Sequence, residues 1–248
     1  MPVAESAQVR LNAGDRLIVA LDVPSAAEAM ELVQRLDGAV SFFKVGIELF
    51  ASAGPDLVKR LVDAGRRVFL DLKYFDVPET VKRAVERVAS LGATFLTVHG
   101  NGKIIRAAVE GRGTSGLKLL SVTVLTSLDN DDMKEMGLNC AVKDLVLYRA
   151  TTAMEAGCDG VITSVNETGQ VRHLAQLKQK DPRFFIVTPG IRPEESPRDD
   201  HKRLATPSDA ISAGADYLVV GRPIRRAPDP RKAAEDVIRE MQRAFNAL

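Results

Sequence analysis

Short apolar runs rich in β-branched and aromatic residues recur along the chain. Each is followed by a turn and a longer stretch whose apolar positions are spaced as in an amphipathic helix. The runs are LIVALDV (17–23), FFKVGI (42–47), RVFLDLK (67–73), TFLTVHG (94–100), LLSVTVLT (119–126), GVITSV (160–165), FFIVTPG (184–190) and YLVVGRP (217–223). They are continuous rather than alternating, the pattern of parallel strands buried on both faces. Helical patterns between them cover 25–37, 53–64, 78–91, 102–111, 141–156, 166–180, 207–213 and 229–246. Ser25 and Thr206 or Ser208 stand where N-caps belong, and Gly65, Gly92, Gly157 and Gly214 where helices end. Three helix stops lead into the next strand in similar words: LGATFLTV, AGCDGVIT and AGADYLVV. The repeat is a βα unit, not a strict sequence repeat.

Eight such units in 248 residues match what a (β/α)₈ barrel requires. A doubly wound sheet alternates in the same way, but as a dinucleotide binder it usually opens on a glycine-rich turn, and LDVPSAAEA after the first run has none. The expectation is a single α/β domain over 1–248, a (β/α)₈ TIM barrel with its active site at the C-terminal strand ends. Residues 1–16 read as an N-terminal extension, and residues 189–203 as a candidate lid.

Charge and composition narrow the class. With 34 Lys+Arg against 33 Asp+Glu the net charge is +1, which leaves no electrostatic footprint for nucleic acid or an anionic membrane. The apolar runs fall far short of the roughly 20 residues that span a bilayer, and residues 1–16 show no basic segment leading into an apolar one. Cys140 and Cys158 fit reduced intracellular thiols better than a disulfide framework. A cytoplasmic enzyme is expected.

The anomaly is ionic. Asp22, Lys44, Asp71 and Lys73 sit inside or at the C-terminal ends of the first three runs, where a buried strand should be apolar. An unpaired buried charge costs several kcal/mol or more, so these groups must be paired, solvated or functional. Asp71 and Lys73 are two apart, which on a strand puts both on one face. Asp76 follows in the turn before Pro78, completing the pattern D-x-K-x-x-D in DLKYFD. In a barrel all five charges fall on the active-site rim; the bland alternative is an ion-pair network that closes the barrel top.

A second signal lies near the end of the chain, where the seventh and eighth runs finish in TPGIR and VVGRP. Loops after those strands commonly hold a phosphate in this fold. Gly221 would admit the phosphate close to the backbone and Arg222 would supply the fork; otherwise they are a turn and a solvated cation. The polar, proline-rich stretch PGIRPEESPRDDHKR (189–203) reads as a lid with Arg192 and His201 as its contacts, or as a plain surface loop. His99, His173 and His201 have no zinc-site spacing, and His99 reads as a packed or hydrogen-bonded histidine. Asp129–Asp132 reads as a solvated helix start. The interleaved lysines offset Asp71 and Asp76, which weakens a metal reading.

These residues resemble the orotidine 5′-phosphate decarboxylase family along nearly the whole chain. The resemblance is carried by LDVPS, FFKVG, FLDLKYFDVPETV, VLTS, TPGIRP and VVGRPI. It implies catalysis by Lys44, Asp71, Lys73 and Asp76 without any cofactor or metal, in a homodimer where Asp76 is contributed across the interface. It further implies that Asp22 and Lys44 hold ribose hydroxyls, with Asp76 and Thr80 reaching in from the neighbouring subunit. Thr126 would lie by the pyrimidine, and Arg192, Gly221 and Arg222 would bind the phosphate. The chain departs from the family at His201, where a glutamine normally bridges phosphate and base. It departs again at Phe75-Asp76-Val77-Pro78-Glu79, commonly His-Asp-Ile-Pro-Asn, and in VHGNGK (98–103). Two other functions remain open at this point: a Mg²⁺-dependent hexulose-phosphate synthase sharing the D-x-K-x-x-D strand, and a nucleotide-phosphate binding module without chemistry.

Overall fold

A computed structural model describes residues 12–178, 184–193 and 205–248. The chain runs β1 (Leu17–Ala20), α1 (Ala26–Arg35), β2 (Phe42–Gly46), α2 (Ile47–Asp63), β3 (Arg67–Tyr74), α3 (Pro78–Ser90), β4 (Phe95–Val98) and α4 (Gly102–Arg112). It continues through β5 (Lys118–Val122), α5 (Asn130–Glu135), α6 (Val142–Glu155), β6 (Gly160–Ile162) and α7 (Val165–Lys178). It closes with β7 (Phe185–Thr188), α8 (Pro207–Ser212), β8 (Tyr217–Val220), α9 (Arg222–Arg225) and α10 (Pro230–Asn246). All neighbouring strands are parallel, and β1 pairs with both β2 and β8 to close the barrel. The expected (β/α)₈ architecture is the one found.

The continuous apolar runs hide an alternation that closure reveals. Leu17, Val19, Phe43, Val45, Val68, Leu70 and Leu96 face the helical layer. Ile18, Ala20, Phe42, Phe69, Phe95, Leu120, Val187 and Val219 fill the barrel interior. Phe42, Phe95, Phe185 and Tyr217 plug that interior with rings whose centroids are 5.1–6.0 Å apart, mostly in tilted or edge-on contacts. Because strand side chains alternate, stepping by two from this plug toward the C-terminal ends reaches Asp22, Lys44, Asp71, Thr97 and His99. The ionic row is therefore the next inward layer of the barrel, standing on an aromatic floor.

At the opposite rim, two of the three recurring helix stops lead into an aspartate that ties neighbouring strands together. In AGCDGVIT, Asp159 accepts from Leu119 N–H at 2.9 Å and pairs with Arg112. In AGADYLVV, Asp216 accepts from Ile186 N–H at 2.7 Å and pairs with Arg172. Each aspartate thus ties its own strand's start to the preceding strand at the N-terminal face. Of the supposed N-terminal extension, residues 12–16 pack on the barrel: Ala13 is buried, and its N–H donates to Gln242 of α10 at 3.1 Å.

Several boundaries differ from expectation. The second helix begins at Ile47, directly after β2, and is broken at Gly54 (φ 62°), ahead of Pro55; the expected start at 53 matches only its second part. Gly54 adopts a left-handed conformation that favours glycine, and Pro55 tolerates a helix start. The last strand ends at Val220, and Arg222 opens the short α9 instead of extending it. Ser25 and Thr206 cap as expected, Thr206 in a capping box with Asp209. Asp129 likewise caps α5 with Asp132. Helices α3 and α4 cross so closely that a Cβ on Gly111 would lie 2.3 Å from the carbonyl oxygen of Lys82.

Candidate active site

The strand ends build two connected hollows at the barrel mouth. The inner one, about 240 Å³, is lined by Lys44, Phe69, Asp71, Lys73, Val122, Val124, Leu125, Thr126, Ser127, Ile162, Pro189 and Val219. The outer one is lined by Asp22, Gly190, Ile191, Arg192, Gly221 and Arg222, and shares Lys44, Pro189 and Val219 with the first. One trough therefore has an apolar, ionically edged end and an arginine-bearing end.

At the ionic end the charges form a chain of contacts. Lys44 Nζ donates to Asp22 Oδ1 at 2.9 Å and lies 3.7 Å from Asp71 Oδ2. Lys73 Nζ donates to Asp71 Oδ1 at 2.8 Å. Lys44 is nearly buried, whereas Asp22 opens toward solvent. A Cβ on Gly46 would sit 3.1 Å from Lys44 Nζ and 3.3 Å from Asp22 Oδ1, so glycine at the end of β2 leaves room for the first pair. Burial opposes the charged form of Asp71. The nearby Lys44 and Lys73, with hydrogen bonds from Lys73 and Thr97, outweigh it and hold the carboxyl below its ordinary range.

Asp71 and Lys73 do meet, though not by simple strand alternation. Leu70 pairs with Leu96 and Tyr74 with Val98, so three residues of β3 face the single Thr97 of β4. Lys73 is the one described non-glycine residue with positive φ, at 49°. Its N–H donates to Thr97 Oγ1 at 2.9 Å, and that hydroxyl donates to Asp71 Oδ1 at 3.0 Å. Sequence reading passed over Thr97, since a threonine within the run TFLTVHG, which also holds Thr94 and His99, carries no pattern of its own. Ser127 was also missed, because an exposed loop serine has no pattern of its own.

The remaining candidates divide. Thr126 lines the inner hollow, while Arg192, Gly221 and Arg222 line the outer one. Ile191 bridges Ala205, and Arg192 N–H donates to Ala205 C=O at 2.9 Å, so the backbone on either side of 194–204 meets beside Arg192. Most of the candidate lid, His201 included, lies outside the described residues. Asp76 and Thr80 are exposed and line neither hollow; Asp76 Oδ1 accepts from Val77 N–H at 2.6 Å. Within one chain Lys73 is therefore flanked by Asp71 but not by Asp76. Phe75 and Val77, on either side of Asp76, are exposed as well. His99 is hydrogen-bonded, as expected: its Nε2 lies 3.3 Å from Arg149 Nη1, and its ring packs edge-on against Phe75. Burial, then Arg149 and Lys73, hold His99 below its usual pKa, so the neutral ring accepts from Arg149.

A parallel barrel with lysines and aspartates interleaved at its C-terminal mouth, beside an apolar chamber, defines a (β/α)₈ barrel enzyme. Residues 15–237 match the model of the Orotidine 5′-phosphate decarboxylase / HUMPS family. Proteins named orotidine 5′-phosphate decarboxylase from Nitrobacter winogradskyi and Rhodopseudomonas palustris are each 50% identical to this chain. The alignments cover 94% and 93% of it, and 95% and 96% of theirs. The crystal structure of orotidine 5′-phosphate decarboxylase from Lactobacillus acidophilus superposes with a TM-score of 0.79 at 38% identity, over 92% of this chain and 99% of that one. The chain belongs to the Orotidine 5′-phosphate decarboxylase / HUMPS family. Among the described residues no helix is long and apolar enough to cross a membrane.

Proposed function

We propose that this chain is a cytoplasmic orotidine 5′-phosphate decarboxylase that forms UMP and CO₂ without a cofactor or metal. The observation that carries this reading is the Asp22–Lys44–Asp71–Lys73 chain of contacts, standing on an apolar chamber and continuous with an arginine-bearing hollow. A phosphorylated nucleoside matches that layout. The pyrimidine occupies the chamber beside Thr126, the ribose hydroxyls meet Asp22 and Lys44, and the phosphate meets Arg192, Arg222 and the backbone at Gly221.

In the reaction the bond between C6 and the carboxylate breaks, CO₂ departs, and the bonding pair remains on C6. Lys73, held by Asp71, presents its ammonium to that developing charge and passes a proton to C6; solvent then reprotonates the amine. The low-dielectric surroundings strengthen that attraction. In this reading Asp71 sits against the leaving carboxylate. The phosphate is remote from the bond broken, so its binding energy can serve to fix the reactive geometry.

Asp76 and Thr80 enter through a homodimer. Both are exposed and outside their own chain's trough, and exposed Phe75 and Val77 beside Asp76 are apolar surface for a partner to cover. In that assembly Asp76 reaches the neighbour's Lys73. The reading without a metal is supported by the donor set: Asp22 is engaged by Lys44, and Asp71 by both lysines.

The test is EDTA-treated protein mixed with orotidine 5′-phosphate, followed by the pyrimidine absorbance. Turnover is expected, and Lys73→Ala should abolish it while the circular dichroism spectrum stays unchanged. Activity that vanishes with EDTA and returns with Mg²⁺ would favour a metal-dependent sugar-phosphate enzyme; UMP binding without turnover would favour a binding module. Near wild-type rates in Lys73→Ala would refute the mechanism.

A further inference from the structure

We infer that Thr97 is a positioning residue for the reaction, its hydroxyl setting the spacing between the Asp71 carboxylate and the Lys73 ammonium. The inference deepens the proposed decarboxylase reading and rests on it. Between the Leu70–Leu96 and Tyr74–Val98 pairs, Asp71, Leu72 and Lys73 bulge past one residue of β4. A bulge removes ladder partners, and a backbone N–H left buried without one is costly. Here the partner is a side chain: Lys73 N–H donates to Thr97 Oγ1 at 2.9 Å. That bond accompanies a left-handed lysine backbone, a conformation that persists only where surrounding contacts over-determine it.

The same hydroxyl has one proton to give. Asp71 Oδ1 accepts it at 3.0 Å, while the alternative acceptor, the Leu70 carbonyl, is 3.5 Å away. Thr97 therefore binds the main chain of one reactive residue and the carboxylate of the other through a single atom, and it is fully buried. Asp71 Oδ1 receives both Thr97 Oγ1 and Lys73 Nζ, which leaves Oδ2 facing Lys44. Without the hydroxyl, the bulge loses its internal tie and the carboxylate is free to rotate. Thr97 lines neither hollow, so substrate affinity at the arginine end has no direct dependence on it.

The experiment compares Thr97→Val, which keeps the shape and removes the hydroxyl, with Thr97→Ser, which keeps the hydroxyl. Misplacing a catalytic group by about 1 Å can cost on the order of 100-fold. Accordingly kcat should fall about 10- to 100-fold in Thr97→Val, KM should stay within about threefold, and Thr97→Ser should retain kcat within about threefold. The acid limb of kcat against pH should also move upward in Thr97→Val, since Asp71 loses a donor while Lys44 and Lys73, Asp22 beyond Lys44, and neutral His99 stay in place. If Thr97→Val does not fold, Thr97→Cys has similar size and a poor hydrogen-bonding group, and its kcat should fall likewise. A kcat within twofold of wild type in a folded Val or Cys variant overturns the inference, as does a loss confined to KM or equal damage in Thr97→Ser. Lys73→Ala assayed alongside separates the cases. If it is inactive while Thr97→Val is normal, only this inference fails; if it is active, the decarboxylase mechanism fails first.

Discussion

Replacing Asp71 by asparagine keeps the shape of the side chain and removes the charge that two lysines share. Lys73 Nζ is 2.8 Å from one carboxylate oxygen and Lys44 Nζ 3.7 Å from the other. At an effective dielectric of about 20 the gross attractions are about 6 and about 4 kcal/mol, most of which offsets the cost of desolvating three ions. Removing one partner of a fully buried pair typically costs about 3–5 kcal/mol. The mouth is not fully buried: the side chains of Asp71 and Lys73 are 18% and 31% exposed, and Lys44 keeps Asp22. Solvent screening reduces the expected loss to about 2 kcal/mol at pH 7, which for a chain of this size is a fall of about 4–8 °C in Tm.

The sign of the pH dependence follows from the depressed pKa of Asp71. A carboxyl held lower in the folded state contributes stability above its unfolded value of about 3.9, and that contribution is lost as pH falls through the folded value. The gap between wild type and Asp71→Asn should therefore be full at pH 7 and shrink in acid below about pH 4. Thermal unfolding at matched protein concentration, at pH 7 and across the acid range, measures both. Equal or higher stability of Asp71→Asn at pH 7 would show that the lysines do not stabilise this carboxylate, and the electrostatic account of the site would fall with it.

Two further outcomes are expected. Arg222→Ala should raise KM and also lower kcat, because phosphate binding energy helps fix the reactive geometry; an unchanged kcat/KM in steady-state assays would remove Arg222 from the phosphate site. Gly111→Ala should destabilise the fold by about 1–3 kcal/mol, since its Cβ meets the backbone of Lys82 and α3 cannot yield without moving. A Tm within 1 °C of wild type in differential scanning calorimetry would count against that close crossing.

What the sequence determined by itself is the series of βα units, and with it the barrel. Runs such as FFIVTPG and YLVVGRP are short, apolar and bounded by turns, and local pattern is enough to place them. Lys44 and Asp71 were legible for the same reason, as charges interrupting runs that should have none. The tertiary structure decided what those runs could not express. Inward and outward positions on a strand are both apolar in a closed barrel, so only closure separates the Phe42–Phe95 floor from the Phe43–Val68 outer layer. Closure also decided that Thr97 opposes three residues of β3, because register between strands is a long-range property. The start of α2 at Ile47 escaped local reading because Gly54 and Pro55 look like the beginning of a helix when they mark a break within one. The same limit applies to Asp76: its motif is local, but its exposure outside its own trough became visible only once the chain was folded, since a side chain's neighbours are set by packing and not by its place in the sequence.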